Sequence, residues 1–148
     1  MPHTCVSGLY HIVFSTKGRA NLIPADQRDS LWRYIGGIAR TNRMKAIAVG
    51  GTANHAHVLL DVPPTISIAK AVQLIKGGSS KWMHEETGRA FQWQEGYGAF
   101  SVSVSHQPAT IAYINSQEKH HARRTFEHEF LAFLKRHNIV INPKYLWG

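Results

Sequence analysis

The chain has 148 residues, with 17 Lys and Arg against 9 Asp and Glu, and so carries a formal net charge of +8. This length suits one domain with a substantial core and is short for two, so we expect residues 1–148 to form a single domain. The positive charge favours a polyanionic partner, nucleic acid first, and no apolar run is long enough to cross a bilayer.

The cysteine content and the N-terminal sequence indicate in which cellular compartment the protein is expected. Cys5 is the single cysteine, which excludes an intrachain disulfide and disfavours a cysteine-based zinc site. Residues 1–10 lack a basic segment followed by an apolar stretch, so the sequence predicts no secretion signal. Together with the charge, these features predict a cytoplasmic, nucleoid-associated protein that does not contact a membrane.

The first two predicted elements are a strand and a helix. Residues 8–16 are rich in β-branched and aromatic side chains and predict a strand. Residues 25–42 show the apolar spacing of a helix, with Asp26 as the expected N-cap. The Gly36-Gly37 pair costs that helix about 1 kcal/mol per glycine relative to alanine. Close packing of the helix against a sheet would explain the pair.

Two strands and a second helix are predicted next. Residues 44–50 and 55–62 read as strands, and the short connection between them favours an antiparallel hairpin. A helix capped by Thr65 or Ser67 then runs to about residue 86, interrupted in its middle by Gly77-Gly78.

The last third of the chain predicts a bent strand followed by helices. Residues 90–104 alternate imperfectly and contain two glycines, which indicates a strand with a bend. Pro108 lies near the start of a helix that carries Tyr113 and Gln117, and a last helix spans about 125–137. The order β-α-β-β-α-β predicts an α+β, ferredoxin-like antiparallel sheet with helices on one face, plus C-terminal helices.

Two histidines alternate with alanine at the start of the third predicted strand. Side chains at i and i+2 of a strand leave from the same face, so His55 and His57 can reach one point from a rigid support. That geometry suits two ligands of a metal ion. The same pattern also fits two polar residues on a solvated face of the strand.

A tyrosine and a glutamine have the second informative spacing. Tyr113 and Gln117 lie four residues apart in a predicted helix, which places them on one face. A phenol can attack phosphorus covalently, and an amide oxygen beside two imidazoles forms a mixed donor set that suits Mn²⁺ better than Mg²⁺. The pattern therefore indicates metal-assisted attack of a tyrosine on a phosphodiester, although a tyrosine on a helix is also typical of a core.

Basic and aromatic side chains supply a candidate surface for nucleic acid. Lys76, Lys81, Arg123 and Arg124 are candidate phosphate contacts, or else part of a solvated face. Trp82, Trp93, Tyr97 and Phe100 could stack on unpaired bases, although at least half of them are expected in the core. His120 and His121 follow Gln117 and could lie near the metal site, contact a phosphate or face solvent.

Ordered motifs along nearly the whole chain resemble one known family. They are YHIVFSTKGR, NHAHVLL, LIKGGSSKW, FQWQEGYGAFSVS, YINSQEKHH and FEHEFLAFLKRHNI followed by YLW. In this set and order they resemble the IS200/IS605-type single-tyrosine (Y1) transposases of the HUH superfamily. Ala56 departs from the family pattern, since a bulkier apolar residue usually separates the two histidines.

The resemblance implies an activity and a site. His55 and His57 would be metal ligands, Gln117 the third protein ligand to Mg²⁺ or Mn²⁺, and Tyr113 the nucleophile that becomes linked to a 5′-phosphate. The expected substrate is single-stranded DNA with hairpins near the element ends. The expected assembly is a homodimer whose active sites can be shared between chains.

Two alternatives stay open within the resemblance. One is a REP-associated tyrosine transposase, which shares these motifs and processes chromosomal palindromes. The other is a domesticated hairpin-binding protein that keeps the basic surface and has lost catalytic turnover. A replication initiator or relaxase uses the same chemistry but is generally larger and differently ordered.

Overall fold

The computed structural model describes residues 3–121 and 124–141, which contain four strands and five α-helices. The strands are β1 (Leu9–Ser15), β2 (Lys45–Gly51), β3 (His55–Asp61) and β4 (Gly98–Ser101). The helices are α1 (Ala25–Thr41), α2 (Ile68–Thr87), α3 (Gln107–Asn115), α4 (Gln117–His121) and α5 (Phe126–Arg136). Short 3-10 turns lie at Lys17–Arg19 and Val104–His106. None of the described helices is long and apolar enough to span a membrane.

The four strands form one antiparallel sheet in the order β2-β3-β1-β4. The chain order β1-α1-β2-β3-α2-β4 confirms the predicted ferredoxin-like arrangement, and the hairpin of β2 and β3 is confirmed with it. Along the central pair of strands, Val13 lies opposite His57 and Ser15 lies opposite His55. The histidine pair therefore starts from the middle of the sheet.

The alternation of side chains divides the sheet into two differently covered faces. One face packs against α1 and α2 through a large apolar core. That core includes Ile12, Phe14, Leu31, Ile35, Ala56, Val58, Leu60, Val72 and Ile75. Along each strand, the residues of this core alternate with residues that point to the opposite face, as the two-residue period of a β-strand requires.

The opposite face carries both histidines and is covered by the C-terminal helices. Val13 and Phe100 of the sheet pack there against a row of apolar residues from α5. That row is Phe126, Phe130, Phe133 and Leu134. Leu59 packs beside it on Ile114 of α3. Side chains of the C-terminal helices thus cover the face of the sheet that carries His55 and His57.

Some details of the first two helices differ from the sequence predictions. The N-cap of α1 is Pro24, so Asp26 lies in the first turn, where a carboxylate favours the positive end of the helix dipole. Close packing does not account for Gly36 and Gly37, because an added Cβ would meet no atom within 4 Å at either position.

The second helix is continuous where an interruption was predicted. Ser67 caps α2 by accepting a hydrogen bond from the Lys70 backbone N–H, and the helix passes through Gly77 and Gly78 to Thr87. A Cβ at Gly78 would lie 2.8 Å from Cδ1 of Ile38, so this glycine lets α1 and α2 approach. It is therefore a packing position and does not break the helix.

The predicted strand over 90–104 is mostly irregular, with regular pairing only in β4 and a single bridge between Thr16 and Trp93. The Nζ of Lys76 donates to the carbonyl oxygens of Gln94 and Gly96, at 2.8 and 2.6 Å. These carbonyls point toward the ammonium group of Lys76. They are therefore directed away from the hydrogen bonds that would pair this segment with a neighbouring strand.

The predicted helix that carries the tyrosine is two helices, α3 and α4, separated at Ser116. The hydroxyl of Ser116 donates to the carbonyl oxygen of Ala112 at 2.8 Å. Local bonds from a serine side chain to the backbone compete with helical hydrogen bonds, which explains the break. The predicted tail Tyr145–Trp147 lies outside the described residues.

Candidate active site

His55 and His57 stand side by side on the face of the sheet that the C-terminal helices cover. Both side chains are fully buried, and their ring centroids are 5.1 Å apart. The strand spacing in the sequence therefore places the two imidazoles together as predicted, and they are not on a solvated face.

Gln117 reaches the histidine pair from the first residue of α4. Its Oε1 lies 3.0 Å from Nε2 of His55, and its Nε2 donates to the carbonyl oxygen of Tyr113 at 3.1 Å. The break at Ser116 does not separate the pair, because this backbone contact ties Gln117 to the end of α3. The amide oxygen faces the imidazole, as a shared metal ligand must.

Glu129 joins the predicted residues to each other, and sequence reasoning missed it. Its Oε1 accepts from Nε2 of His57 at 2.9 Å and lies 3.8 Å from Nε2 of His55. Its Oε2 accepts from Nε2 of His121 at 3.1 Å and also from the Tyr113 hydroxyl. The carboxylate therefore turns one oxygen to the imidazoles and the other to the phenol.

A signal for Glu129 was present in the sequence. The buried side of α5 consists of Phe126, Glu129, Phe130, Phe133 and Leu134, so one carboxylate sits on an otherwise apolar stripe. Acidic side chains are almost never fully buried unless they are paired. A buried Glu at such a position indicates a partner group on the surface that the helix covers.

His121, left open by the sequence, belongs to this cluster. Its ring lies 4.3 Å from that of His55, centroid to centroid. One ligand atom from each of His55, His57, His121 and Glu129 falls within 4.8 Å of the others. His120 is different, because its ring packs against Tyr113 at 4.9 Å.

The histidine nearest Gln117 is neutral at physiological pH. Burial, and next the neighbouring His57, lower the pKa of His55 to about 3. Its approach to Glu129 is therefore not an ion pair at pH 7. A neutral imidazole offers one lone pair, which is the form that binds a metal ion.

The carboxylate of the cluster is ionised. Burial alone would raise the pKa of Glu129, but hydrogen bonds from His121 and His57 outweigh burial and hold the pKa well below its usual range. The cluster therefore holds one fixed negative charge beneath two imidazoles.

Tyr113 points its hydroxyl into the same cluster. Its ring centroid lies 5.7 Å from that of His57, in an edge-on arrangement. Burial, and then the hydrogen bond to Glu129, raise the pKa of Tyr113 above its usual value. The phenol is therefore protonated at rest, and an acceptor for its proton is already in contact.

The donor atoms fit a divalent cation. Nδ1 of His55 lies 2.9 Å from Oδ1 of Asn54. In the tautomer of His55 that carries its proton on Nδ1, this N–H donates to Oδ1 of Asn54. In that tautomer the Nε2 lone pair faces the oxygens of Gln117 and Glu129, an arrangement that a bound cation would satisfy. Two imidazole nitrogens with amide and carboxylate oxygens form a mixed donor set that suits Mn²⁺.

A cleft of about 260 Å³ opens beside the tyrosine, between α3 and α5. Its lining includes Tyr113 and Glu129 together with the cationic side chains of Arg124 and Arg136. Arg136 also lies over the ring of Phe133, 5.5 Å from its centroid. The cleft thus presents positive charge beside the Tyr113 hydroxyl, and Arg136 was not singled out from the sequence.

The other predicted basic residues lie elsewhere. Lys76 and Lys81 belong to α2, which covers the opposite face of the sheet from α5. Lys76 holds the carbonyls of residues 94–96, and burial lowers its pKa to about 8. Lys81 is exposed, and Arg123 lies outside the described residues.

Two of the four aromatic candidates for base stacking are core residues. Trp93 and Phe100 are buried. The ring of Trp82 stacks on Tyr34 at 5.2 Å, and that of Tyr97 lies 5.7 Å from the Lys76 ammonium. The expectation that at least half belong to the core is confirmed.

Residues 4–117 match the family described as IS200-like transposases, and the chain belongs to that family. The matched region contains His55, His57, Tyr113 and Gln117, whereas His121 and Glu129 lie beyond it.

Individual relatives agree with this assignment. The chain is 27% identical to the transposase of insertion sequence IS200 from Salmonella typhimurium over 88 residues, which are 60% of this chain and 58% of that protein. It thus spans less than two thirds of that relative. It is 26% identical to the ISDra2 transposase TnpA of Deinococcus radiodurans over 115 residues, 73% of this chain and 82% of that protein.

Two solved structures share the fold. A protein assigned as a transposase of Deinococcus radiodurans superposes with a TM-score of 0.65 at 25% identity, covering 79% of this chain and 95% of the other. A REP-associated tyrosine transposase bound to a REP hairpin superposes with a TM-score of 0.57 at 15% identity, covering 78% and 70%.

Proposed function

We propose that this protein is a metal-dependent transposase that cleaves and rejoins single-stranded DNA through a phosphotyrosine at Tyr113. One observation carries the proposal: the Tyr113 hydroxyl and the imidazole of His57 are bound to the two oxygens of one buried carboxylate, Glu129. We further propose that residues 1–148 act as one domain and that the protein works at the nucleoid.

Four side chains would hold the divalent cation, Mg²⁺ or Mn²⁺: His55, His57, Gln117 and Glu129. When bound, such a cation polarises a non-bridging phosphate oxygen and stabilises the charge that develops on it. The chain itself supplies a water-poor setting, since all four side chains are buried. Electrostatic interactions are stronger in such a setting than in water.

The cleavage step follows from the contacts of Tyr113. The phenol oxygen attacks phosphorus, the bond from phosphorus to the 3′ oxygen breaks, and the 5′-phosphate stays on the tyrosine. Oε2 of Glu129 already accepts the phenol hydrogen bond and so orients the hydroxyl, and the phenol gives its proton to water as the bond to phosphorus forms. The departing oxygen takes a proton from water and leaves as a 3′-OH.

Rejoining is the reverse of cleavage with a new strand. A 3′-OH attacks the phosphotyrosine and gives its proton to water, the bond from phosphorus to the phenol oxygen breaks, and the phenol takes a proton from water and restores its hydrogen bond to Glu129. The energy of the phosphodiester is kept in the covalent link. No nucleotide cofactor is needed for the exchange.

The cleft beside Tyr113 suits a single strand. Arg124 and Arg136 line it and would neutralise the phosphates on either side of the attacked one. The REP-associated relative was solved with a REP hairpin, which supports a hairpin-bearing DNA as the substrate here. Lys81 and Arg123 remain proposed DNA contacts, whereas Lys76 is engaged with backbone carbonyls.

We propose a homodimer as the working assembly, with each active site built within one chain. The described residues of a single chain bring Tyr113 and Gln117 to the histidine pair without a second copy. Sites shared between chains would require α3 and α4 to leave this position.

The test is covalent capture of DNA. Wild-type protein is incubated with Mn²⁺ and labelled hairpin-bearing single strands from the DNA flanking the gene, and adducts are resolved on denaturing gels. We expect an adduct with wild type, none with Tyr113→Phe, and an adduct with the control Tyr34→Phe, which removes a hydroxyl on α1. Tight hairpin binding without an adduct in any of the three proteins would favour the binding-protein alternative.

A further inference from the structure

His11 is a buried histidine that the proposed mechanism does not use. It lies in the middle of β1 with 4% of its surface exposed, and its Nε2 lies 2.7 Å from Nδ1 of His57. In the sheet register His11 faces Leu59, so His57 is its diagonal neighbour on the same face. Long side chains reach each other at such diagonal positions.

We infer that His11 is a positioning residue for metal binding, which holds the ring of His57 and accepts the hydrogen bond from its Nδ1–H when a cation occupies Nε2. The inference rests on the proposed function, because it takes His57 as a metal ligand. Histidines that bind a metal almost always donate the other ring N–H to a fixed acceptor, which sets their tautomer and orientation. The contact at Nδ1 of His57 is with His11.

The hydrogen bond must reverse when a cation is bound. Without a cation, Nε2–H of His57 donates to Glu129, and its Nδ1 accepts from Nε2–H of His11. With a cation on Nε2, His57 carries its proton on Nδ1 and donates to Nε2 of His11. An imidazole partner serves both arrangements, because either nitrogen of a neutral ring can donate or accept.

The proton count of the exchange balances. One proton passes from Nε2 of His11 to Nδ1 of His57, one leaves Nε2 of His57, and one arrives at Nδ1 of His11. The pair keeps its charge. His11 also lines the cleft beside Tyr113, so a route to solvent exists for the incoming proton.

The surroundings of His11 fix its ring. Phe133 of α5 meets it edge-on, with ring centroids 5.0 Å apart and planes at 88°. Tyr113 also lies edge-on, 6.2 Å away. The ring of His11 is thereby packed between β1 and the helices that carry the nucleophile and the carboxylate, which keeps its Nε2 directed at His57.

The first experiment measures Mn²⁺ affinity of the DNA-free full chain by calorimetry. His11→Phe keeps a ring against Phe133 and removes the hydrogen bond, so we expect binding 10- to 100-fold weaker. His11→Gln keeps a group that can accept or donate after an amide flip, and we expect it to recover most of the affinity. Unchanged affinity in His11→Phe would overturn the inference.

The matched control is His137→Phe. The ring of His137 packs on Phe100 at 4.7 Å on the same side of the sheet, and its Nδ1 donates to the carbonyl of Phe133. We expect its Mn²⁺ affinity to equal that of wild type. An equal loss in this control and in His11→Phe would show a general packing effect and overturn the positioning role.

A further variant separates the inference from the proposed function. If His57→Ala abolishes Mn²⁺ binding while His11→Phe leaves it intact, the metal site stands and the role of His11 is wrong. If His57→Ala binds Mn²⁺ like wild type, the proposed metal site fails, and the inference fails with it. Weaker Mn²⁺ binding in both His57→Ala and His11→Phe, with affinity recovered in His11→Gln, supports the inference.

A second measurement needs no variant and stays valid even if His11→Phe does not fold. In wild-type protein saturated with Mg²⁺, long-range ¹H–¹⁵N correlation spectra report the tautomer of each histidine. With the proton of His57 on Nδ1 in the saturated protein, we expect the proton of His11 on Nδ1, whereas without Mg²⁺ we expect it on Nε2. A proton that remains on Nε2 of His11 while that of His57 moves to Nδ1 would overturn the inference, and a proton that remains on Nε2 of His57 would instead contradict the proposed metal site.

Discussion

At the scale of single residues, Glu129 shows what a sequence pattern can and cannot supply. His55 and His57 follow from strand alternation, and Tyr113 with Gln117 from helical spacing, because each pair is local in sequence. Glu129 lies 72 residues from His57 and meets it only after α5 folds across the sheet. Local sequence spacing contains no information about that contact. The sequence does show that Glu129 is a carboxylate on the otherwise apolar side of a predicted helix, which is unusual.

Replacing Glu129 by glutamine tests its part in metal binding. Glu129→Gln keeps the size and one oxygen acceptor but removes the charge, so we expect Mn²⁺ affinity to fall by about tenfold or more. Calorimetry on the DNA-free protein measures this. Glu127→Gln is the control, since Glu127 is on the same helix and pairs with Arg19 at 2.7 Å. Equal affinity in both variants would contradict the assignment of Glu129.

The buried, neutral state of His55 predicts a pH dependence of stability in metal-free protein. Its folded pKa of about 3 lies below the unfolded value of 6.5, so the unfolded chain binds one more proton between these values. The free energy of unfolding therefore falls as the pH drops below 6.5. The contribution of His55 approaches about 1.4 kcal/mol per pH unit well inside this window.

Urea denaturation at several pH values between 7 and 4 checks this prediction. We expect the stability curve of His55→Gln to be flatter than that of wild type by about that slope, because glutamine does not titrate. His128→Gln serves as the control, since His128 is exposed on α5 and should keep the wild-type slope. Parallel curves for wild type and His55→Gln would contradict a buried neutral imidazole.

At the scale of secondary-structure elements, periodicity predicted the order of the strands and helices but not their interruptions. Apolar spacing decides which face of a segment is buried, and this fixed β1, α1, β2, β3 and α2. The break at Ser116 and the irregular segment before β4 depend on single polar contacts, made by a serine hydroxyl and by the Lys76 ammonium. Such contacts leave the hydrophobic pattern unchanged.

The two central glycines of α2 give a prediction at this scale. At Gly77 an added Cβ meets no atom within 4 Å, so Gly77→Ala should stabilise the protein by about 1 kcal/mol through helix propensity. At Gly78 the same Cβ would lie 2.8 Å from Ile38. The end of the Ile38 side chain must shift to admit it, so Gly78→Ala should be less stable than Gly77→Ala, by up to about 1 kcal/mol.

Chemical denaturation of both alanine variants measures the difference, and each serves as the control for the other in the same helix. Equal stabilisation by the two substitutions would show that α1 and α2 do not approach closely at Gly78. A third variant, Gly36→Ala on α1, should behave like Gly77→Ala, because its surroundings are also open.

At the scale of the whole molecule, the sheet separates two layers with different tasks. The layer of α1 and α2 contains the large apolar core. The layer of α3, α4 and α5 brings Tyr113, Gln117 and Glu129 to the histidine pair. The polar cluster of the proposed site therefore lies between the sheet and the C-terminal helices, on the face opposite the large core.

The arrangement of the site within one chain leads to a prediction for mixed dimers. A Tyr113→Phe chain lacks the proposed nucleophile and a His57→Ala chain lacks a proposed metal ligand. If each site is built within one chain, as proposed above, a heterodimer of the two contains no complete site. We expect purified heterodimers, with distinct tags on the two chains, to form no covalent DNA adduct beyond the level of the single-variant homodimers.

Adduct yield on the hairpin substrate measures the outcome, with a heterodimer of wild type and His57→Ala as the positive control that keeps one intact site. Adduct formation by the doubly defective heterodimer would require Tyr113 of one chain to reach the histidines of the other. The α3–α4 unit would then have to leave the sheet of its own chain, and Gln117 would lose its contact with His55. That result would replace the one-chain site with one exchanged between protomers, while leaving the chemistry of the four side chains unchanged.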